Sequence, residues 1–413
     1  MSGFVGGTFR SFEGFNYRVW AAGSFVSNVG TWMQRTAQDW LVLTGLTHHD
    51  ATAVGLVMAL QFGPSLLLLP WTGFAADHLD RRRLLIATQA AAGALALALA
   101  ILTLAGIVRL WQVYGIALLL GCVTAFDAPA RQTFVAELVG EGGLANAVAL
   151  NSTSFNAARM VGPAIAGLLI AALGSGWVFL INAASFAAVL CSLGLLRVRH
   201  LHARPRAVRT RGSFAEGFAY VARRPDLRAI LLMLFLIGTF GLNFPIFIST
   251  MSVTVFHGGA GEYGLLSSTM AVGTIAGALL AARRAPLDFR ILLIGAGCFG
   301  IGMTLAALAP NDWLFGAALV IVGIAALTFT TATNSLVQLS TDPAMRGRVM
   351  AIRIGIALGG TPIGAPLVGW VANRFGPRWA LGVGAVSGFA AALIAVHTLV
   401  QDRRGEDTRA RTS

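Results

Sequence analysis

Apolar residues in this chain fall in long unbroken stretches, without the strict alternation of a half-buried strand or the single stripe of a surface helix. Stretches of about 20 mostly apolar residues, the length a helix needs to cross a bilayer, recur between short polar segments. Their approximate limits are 19–45, 52–75, 84–105, 110–130, 146–172, 176–196, 228–256, 262–282, 290–309, 313–338, 348–373 and 378–400. The pattern predicts an all-α membrane protein with twelve transmembrane helices. The first stretch begins after Arg18, is too long for a signal-peptide core and has no small-residue cleavage site behind it. It is expected to remain as a span.

Composition agrees with this and removes other classes. Of 413 residues 56% are hydrophobic and 11% charged, too few charges to solvate the surface of a water-soluble protein. Cys122, Cys191 and Cys298 lie inside apolar runs and read as small hydrophobes, not as a disulfide framework. A net charge of +13 would suit a nucleic-acid partner, but all 30 basic residues are Arg and most sit between spans. An even number of spans puts both termini on one side, and that side then carries 24 of the arginines. The opposite side has only Arg109, Arg374 and Arg378, while Arg35, Arg159 and Arg353 fall within spans. Basic residues are retained in the cytoplasm, so both termini are expected there, and no nucleic acid is expected as a partner.

The longest polar segment, 197–225, separates an amino-terminal six-helix half (1–196) from a carboxyl-terminal half (226–401), and 402–413 form a cytoplasmic tail. Within the segment Ser213 and Glu216 have capping-box spacing, and Phe214, Phe218 and Val221 share one helical face. This reads either as a short amphipathic helix on the anionic leaflet or as a solvated basic linker. An internal repeat supports the halving. Gly162, Gly167, Gly174 and Trp177 match Gly364, Gly369, Gly376 and Trp379 at one offset of 202 residues, with Pro163 and Pro366 close to register. Two pseudo-symmetric six-helix bundles are how many secondary transporters are built.

Two local signatures resemble the major facilitator superfamily. Gly73-Phe74-Ala75-Ala76-Asp77-His78-Leu79-Asp80-Arg81-Arg82-Arg83, after span 2, is similar to the family's G-x-L-A-D-R-x-G-R-R, with His78 in place of Arg and Asp80 in place of Gly. The resemblance implies that Asp77 and Arg81 lock the cytoplasmic side. Asp77 suits the positive amino-terminal end of a neighbouring helix such as span 11, and Arg81 suits Glu137 or Asp127. A stop-transfer charge cluster is the alternative. Ala158 to Gly167 resembles the exporter signature G-x-x-x-G-P-x-x-G-G, with Ala at 158 and 166. Gly162, Pro163 and Gly167, with Gly364, Pro366 and Gly369 in the repeat, are therefore candidates for a packed gate between helices. Three further segments resemble bacterial exporters of the enterobactin-exporter type: Asn28 to Arg35, Ala125 to Gln132 and Arg346 to Met350. That resemblance implies export of small, often bulky molecules across the inner membrane in exchange for protons.

Ionisable and amide groups inside spans are costly, so each is a functional candidate. Arg35 and Asp39 share a face of span 1 beside Gln34 and Gln38, either as a structural bridge or as a substrate or proton site. Asp127 and Arg131 repeat the spacing nearer the cytoplasm, where a structural role is favoured. Arg159 has no charged neighbour one turn away, so its partner comes from another helix or from an anionic ligand. Asn156 and Asn243, with Asn151, Gln338, Trp32, Phe244 and Phe329, are candidate cavity residues. Glu137, Arg348 and Arg353 are expected at the inner gate. The histidines have no metal-ligand spacing within a span, and a chain without Lys has no nucleotide-binding P-loop, so neither metal nor cofactor is expected. The expectation is a monomeric secondary exporter of amphipathic small molecules, such as drugs, siderophores or metabolites, in exchange for protons across the bacterial inner membrane. A nutrient importer of the same fold and a ligand-sensing receptor are the alternatives. A lipid-modifying enzyme would need a cluster of carboxylates or His at one membrane face, which the sequence lacks.

Overall fold

The computed structural model describes residues 10–202, 214–282 and 289–412, and the secondary structure among them is helical. In chain order the helices are α1 (Phe15–Trp40), α2 (Ala51–Leu67), α3 (Leu69–His78), α4 (Arg81–Leu104), α5 (Leu110–Gly140), α6 (Gly142–Leu173) and α7 (Ser175–Leu195). Then follow α8 (Phe214–Arg223), α9 (Pro225–Leu236), α10 (Phe244–Thr250), α11 (Ala260–Ala282), α12 (Phe289–Leu308), α13 (Asp312–Ser340), α14 (Arg346–Phe375) and α15 (Pro377–Thr412). Among the described residues ten helical stretches are long and apolar enough to cross a membrane.

The first two expected spans are helical but fall short of that criterion for different reasons. Along α1, Asn16, Ser24, Ser27, Gln34, Thr36, Gln38 and Asp39 are buried, so its polar positions face protein. The second expected span is broken at Leu68, whose φ of −88° and ψ of 1° separate α2 from α3. Pro70, which has no backbone N–H to donate, stands in the first turn of α3, where no such bond is needed. The expected span 228–256 is also interrupted. α9 runs into a π-helical turn at Ile237–Gly241, Leu242 and Asn243 leave the helix, and Pro245 opens α10, which ends in a second π-helical turn at Met251–Val255. Between α5 and α6 the chain turns at Gly140, where φ is +66° and ψ −170°, a conformation that only glycine adopts without strain.

The chain divides into two compact units. The first comprises Met1–His48, Leu60–Arg209 and Gly258–Ser268. Its core gathers Tyr17, Trp20, Leu85, Phe134, Leu138 and Leu193, and the Tyr17 hydroxyl donates to the Ala147 carbonyl at 3.0 Å. Close approach of α1 and α7 depends on Gly30, where a Cβ would lie 2.4 Å from Asn182 Oδ1 and Ser185 Oγ. The second unit comprises His49–Ala59, Thr210–His257 and Thr269–Ser413. It buries Phe247, Phe299, Phe315 and Phe329 completely, and a Cβ at Gly388 of α15 would lie 2.7 Å from the Gly300 nitrogen of α12. Each unit takes one short segment from the other half of the sequence.

Candidate transport site

The most chemically distinctive cluster in the first unit is built on α1. Two guanidinium groups lie over the indole ring of Trp32. Arg35 Cζ lies 4.9 Å from the ring centroid and Arg159 Cζ, from α6, lies 5.5 Å away. Arg35 is also 5.6 Å from the centroid of Phe62, and Phe155 meets Trp32 edge-on at 5.8 Å. Gly162 positions this stack, because a Cβ there would sit 2.7 Å from Trp32 Cβ. Both arginines are partly buried, and neither lies within ion-pair distance of a carboxylate among the described residues. Stacking on an aromatic face offsets part of the cost of a buried cation but leaves the guanidinium N–H donors free.

Asp39 shares the helical face of Arg35 but bonds elsewhere. It is buried and accepts a 3.4 Å hydrogen bond from the Tyr263 hydroxyl of α11, whose ring stacks on Trp40 at 6.2 Å. Gln34 accepts from Asn182 Nδ2 at 2.5 Å. Beside them a cavity of about 50 Å³ is lined by Thr31, Gln34, Arg35, Gln38, Gln61 and Asn182 among others. Gln38 is fully buried there, and neither its amide nitrogen nor its oxygen has a hydrogen-bond partner. Asn156 is tied to its own helix through the Ser152 carbonyl at 2.9 Å. Asn243 belongs to the second unit, where it donates to the Thr239 carbonyl at 2.7 Å across the interruption after α9 and leaves Oδ1 unpaired.

The residues expected at the inner gate form separate groups. Arg81 pairs with Glu137 of α5. Asp127, the other partner considered, is occupied by Thr88 Oγ1 at 2.8 Å, Gln89 Nε2 at 2.6 Å and Arg131 at 3.0 Å, and Arg131 also reaches Ser24 at 2.8 Å. The backbone of Gly73 and Asp77 lies in α3, and the Asp77 side chain is outside the described residues. In the second unit Arg348 pairs with Glu216 of α8 at 3.0 Å. Arg353 donates to the Thr330 carbonyl at 3.1 Å and keeps a buried, unpaired Nε. Ser213 of the anticipated capping box is outside the described residues, but α8 itself forms. Following it, Arg224 makes a two-point contact with Asp226, and that hydrogen bonding pushes the guanidinium further above its ordinary value.

The candidate packing glycines all sit at close backbone approaches. A Cβ at Gly167 would be 2.6 Å from the Ala260 carbonyl oxygen, and one at Gly264 would be 2.4 Å from the Pro163 oxygen, so α6 and α11 touch through backbone. In the second unit a Cβ at Gly364 would be 1.6 Å from the Thr239 oxygen and one at Gly369 would be 2.4 Å from the Ala51 oxygen. Pro366 stands in the same interface, its nitrogen 2.9 Å from the Cβ position of Gly55.

These close helix contacts and the signature loop accompany a match along almost the whole chain. Residues 7–413 match the family described as transmembrane secretion effector, within the major facilitator superfamily. The chain belongs to that family. Among relatives of this major facilitator, the staphyloferrin A transporter of Staphylococcus aureus is 26% identical over 357 residues, 86% of this chain and 88% of that protein. The multidrug efflux pump Tap of Mycolicibacterium fortuitum is 28% identical over 372 residues, again 86% and 88%. A bacterial homologue of the human lysosomal transporter Spinster, solved inward-facing and unoccupied, shares the fold. It has a TM-score of 0.71 at 16% identity and covers 94% of this chain and 98% of that one. The chain is thus a multi-pass bacterial membrane transporter of small molecules, not an enzyme.

Tyr263 and Asn182 are among the residues of the cluster that the sequence pattern did not single out, with Gln61, Phe62 and Phe155. Tyr263 is one of only four tyrosines, and its place two residues inside a predicted span was the available signal. Asn182 is an amide in the middle of the apolar run 176–196 and met the same criterion as the amides that were singled out.

Proposed function

We propose that this transporter exports amphipathic small molecules bearing an acidic group across the bacterial inner membrane, by alternating access and in exchange for protons. The observation that carries the reading is the pair of guanidinium groups on Trp32, which present free donors beside an aromatic surface and make no ion pair among the described residues. An apolar ring with convergent cationic donors suits a solute that is part aromatic and part anionic. The staphyloferrin A transporter and the multidrug efflux pump among the relatives support a small-molecule solute, and the efflux pump favours export over import.

In this reading twelve spans form two six-helix halves, 1–196 and 226–401, with the linker 197–225, the tail 402–413 and both termini in the cytoplasm. Supporting the repeat, Gly167 approaches the first residue of α11 and its counterpart Gly369 approaches the first residue of α2. Arg81, Glu137, Asp127 and Arg131 hold the inner end of the first half, and Arg348 and Arg353 act at that of the second. Asp39 exchanges the proton, and the Tyr263 hydroxyl donates a hydrogen bond to its carboxyl group. The protein works as a monomer without a cofactor.

Replacing Arg159 tests the solute reading. A charge-assisted hydrogen bond is worth about 1.5–3 kcal/mol, so Arg159→Ala should weaken binding of an acidic solute about 10- to 100-fold and leave a neutral analogue nearly unchanged. Arg159→Lys keeps the charge but loses the planar fork and should fall between them. Equal loss for acidic and neutral solutes, measured by equilibrium binding to purified protein, would remove Arg159 from the solute site.

A further inference from the structure

The cavity beside Gln38 points to a second ligand that differs from the exported solute. Among the described residues Arg35 and Arg159 make no ion pair, and the carboxylate of Asp39, on the helical face of Arg35, is hydrogen-bonded to Tyr263. One positive charge is left over at a depth where an isolated charge is expensive. Stacking on Trp32 and Phe62 reduces that cost without supplying an opposite charge.

Arg35 borders the cavity together with Gln38, Gln34, Gln61, Thr31 and Asn182. At about 50 Å³ the space is larger than the roughly 10–15 Å³ that admits one water. Gln38 is completely buried, and its amide nitrogen is an unpaired donor in the wall of this space. A buried polar group without a partner destabilises the fold that holds it. Water alone would satisfy the amide and leave the charge. A cation is repelled by Arg35. A small anion answers both deficits, accepting from the guanidinium and from the Gln38 amide, and the remaining volume admits a water that donates to Gln38 Oε1.

We propose that the first unit holds a resident monovalent inorganic anion of halide size, bound between Arg35 and Gln38. The site does not depend on which solute is moved or in which direction. Because Arg35 also flanks Trp32, the anion sets how much of that arginine's charge is felt by the solute cluster.

The test uses the full-length purified protein in lipid nanodiscs, with chloride replaced stepwise by gluconate at constant ionic strength. Chloride should raise the unfolding temperature along a saturable curve. Bromide and nitrate should do the same, and gluconate and sulfate should not. Acetate separates an inorganic anion from a carboxylate: the proposal requires acetate to be at least tenfold weaker than chloride, and equal potency would assign the cavity to a carboxylate arm of the solute. Gln38→Leu and Arg35→Gln should abolish the anion-dependent shift, and Arg83→Ala, on the exposed start of α4, should retain it. Bromide quenching of tryptophan fluorescence gives a readout in the wild-type protein should a variant fail to fold. A saturable component should appear at the concentrations that stabilise and should vanish in Trp32→Phe. Identical unfolding in chloride and gluconate, or a full chloride shift retained in Gln38→Leu, overturns the proposal and leaves the cavity to water.

Discussion

Replacing Gly167 by alanine adds one methyl group where the structure has no room for it. The new carbon would stand 2.6 Å from the Ala260 carbonyl oxygen and 3.1 Å from the Cα atoms of Gly261 and Gly264. All three are backbone atoms, so no side-chain rotation relieves the clash, and α6 must separate from the start of α11. Overpacking of this kind costs about 1–3 kcal/mol. In a protein that alternates between two states, the cost falls on the state in which α6 and α11 touch, and each 1.4 kcal/mol shifts the ratio about tenfold. The substitution should therefore depopulate that state roughly five- to 150-fold without unfolding the protein. A single cysteine at Thr124, which is exposed at the edge of the polar cavity, reports the change in a background lacking the three native cysteines. Its labelling by an impermeant thiol reagent added outside the cell should accelerate in Gly167→Ala. Gly297→Ala is the control, because a Cβ there meets nothing within 4 Å. Equal labelling in the two variants would show that the α6–α11 contact does not hold a conformational state.

Two other outcomes follow from the orientation and from the inner end of the first unit. Cysteines at His49 and Arg199 should label from outside and from inside the cell respectively, and reversed labelling would invert the topology derived from the arginines. Arg81→Gln removes the partner of Glu137 and should slow transport severalfold while raising thiol accessibility at the cytoplasmic end of α5. Arg83→Ala should do neither, and equal effects would reduce the signature loop to a topology signal.

Much of the helical layout was legible because a lipid-crossing helix must be apolar along its length, and such runs are visible without knowing what packs on them. Helix runs along most of each expected span, and among the described residues ten stretches are long and apolar enough to cross a membrane. What the pattern did not show were the interruptions, since Leu68 and Leu242 are apolar residues inside apolar runs, and a nearby proline such as Pro70 or Pro245 does not mark them when Pro64, Pro129 and Pro163 lie inside helices that continue. Site residues divide in the same way. Arg35, Asp39 and Arg159 stand out as charges in apolar surroundings, but their partners lie on other helices. Spacing along span 1 suggested that Asp39 answers Arg35, while its hydrogen bond comes from Tyr263, more than two hundred residues away in sequence. The lone Arg159 was expected to find a partner on another helix or in a ligand, and it stacks on the Trp32 indole. Glu137 rather than Asp127 takes Arg81 because Thr88, Gln89 and Arg131 already occupy Asp127, a competition that no linear spacing reveals.

Transport into inverted membrane vesicles, with an acidic and a neutral aromatic solute compared in the presence and absence of an imposed pH gradient, tests proton-driven export directly. The acidic solute should accumulate in the vesicle lumen only when the interior is acid. Asp39→Asn should abolish that gradient dependence and preserve solute exchange. Accumulation that ignores the gradient, or uptake that runs only in right-side-out vesicles, would contradict proton-coupled export.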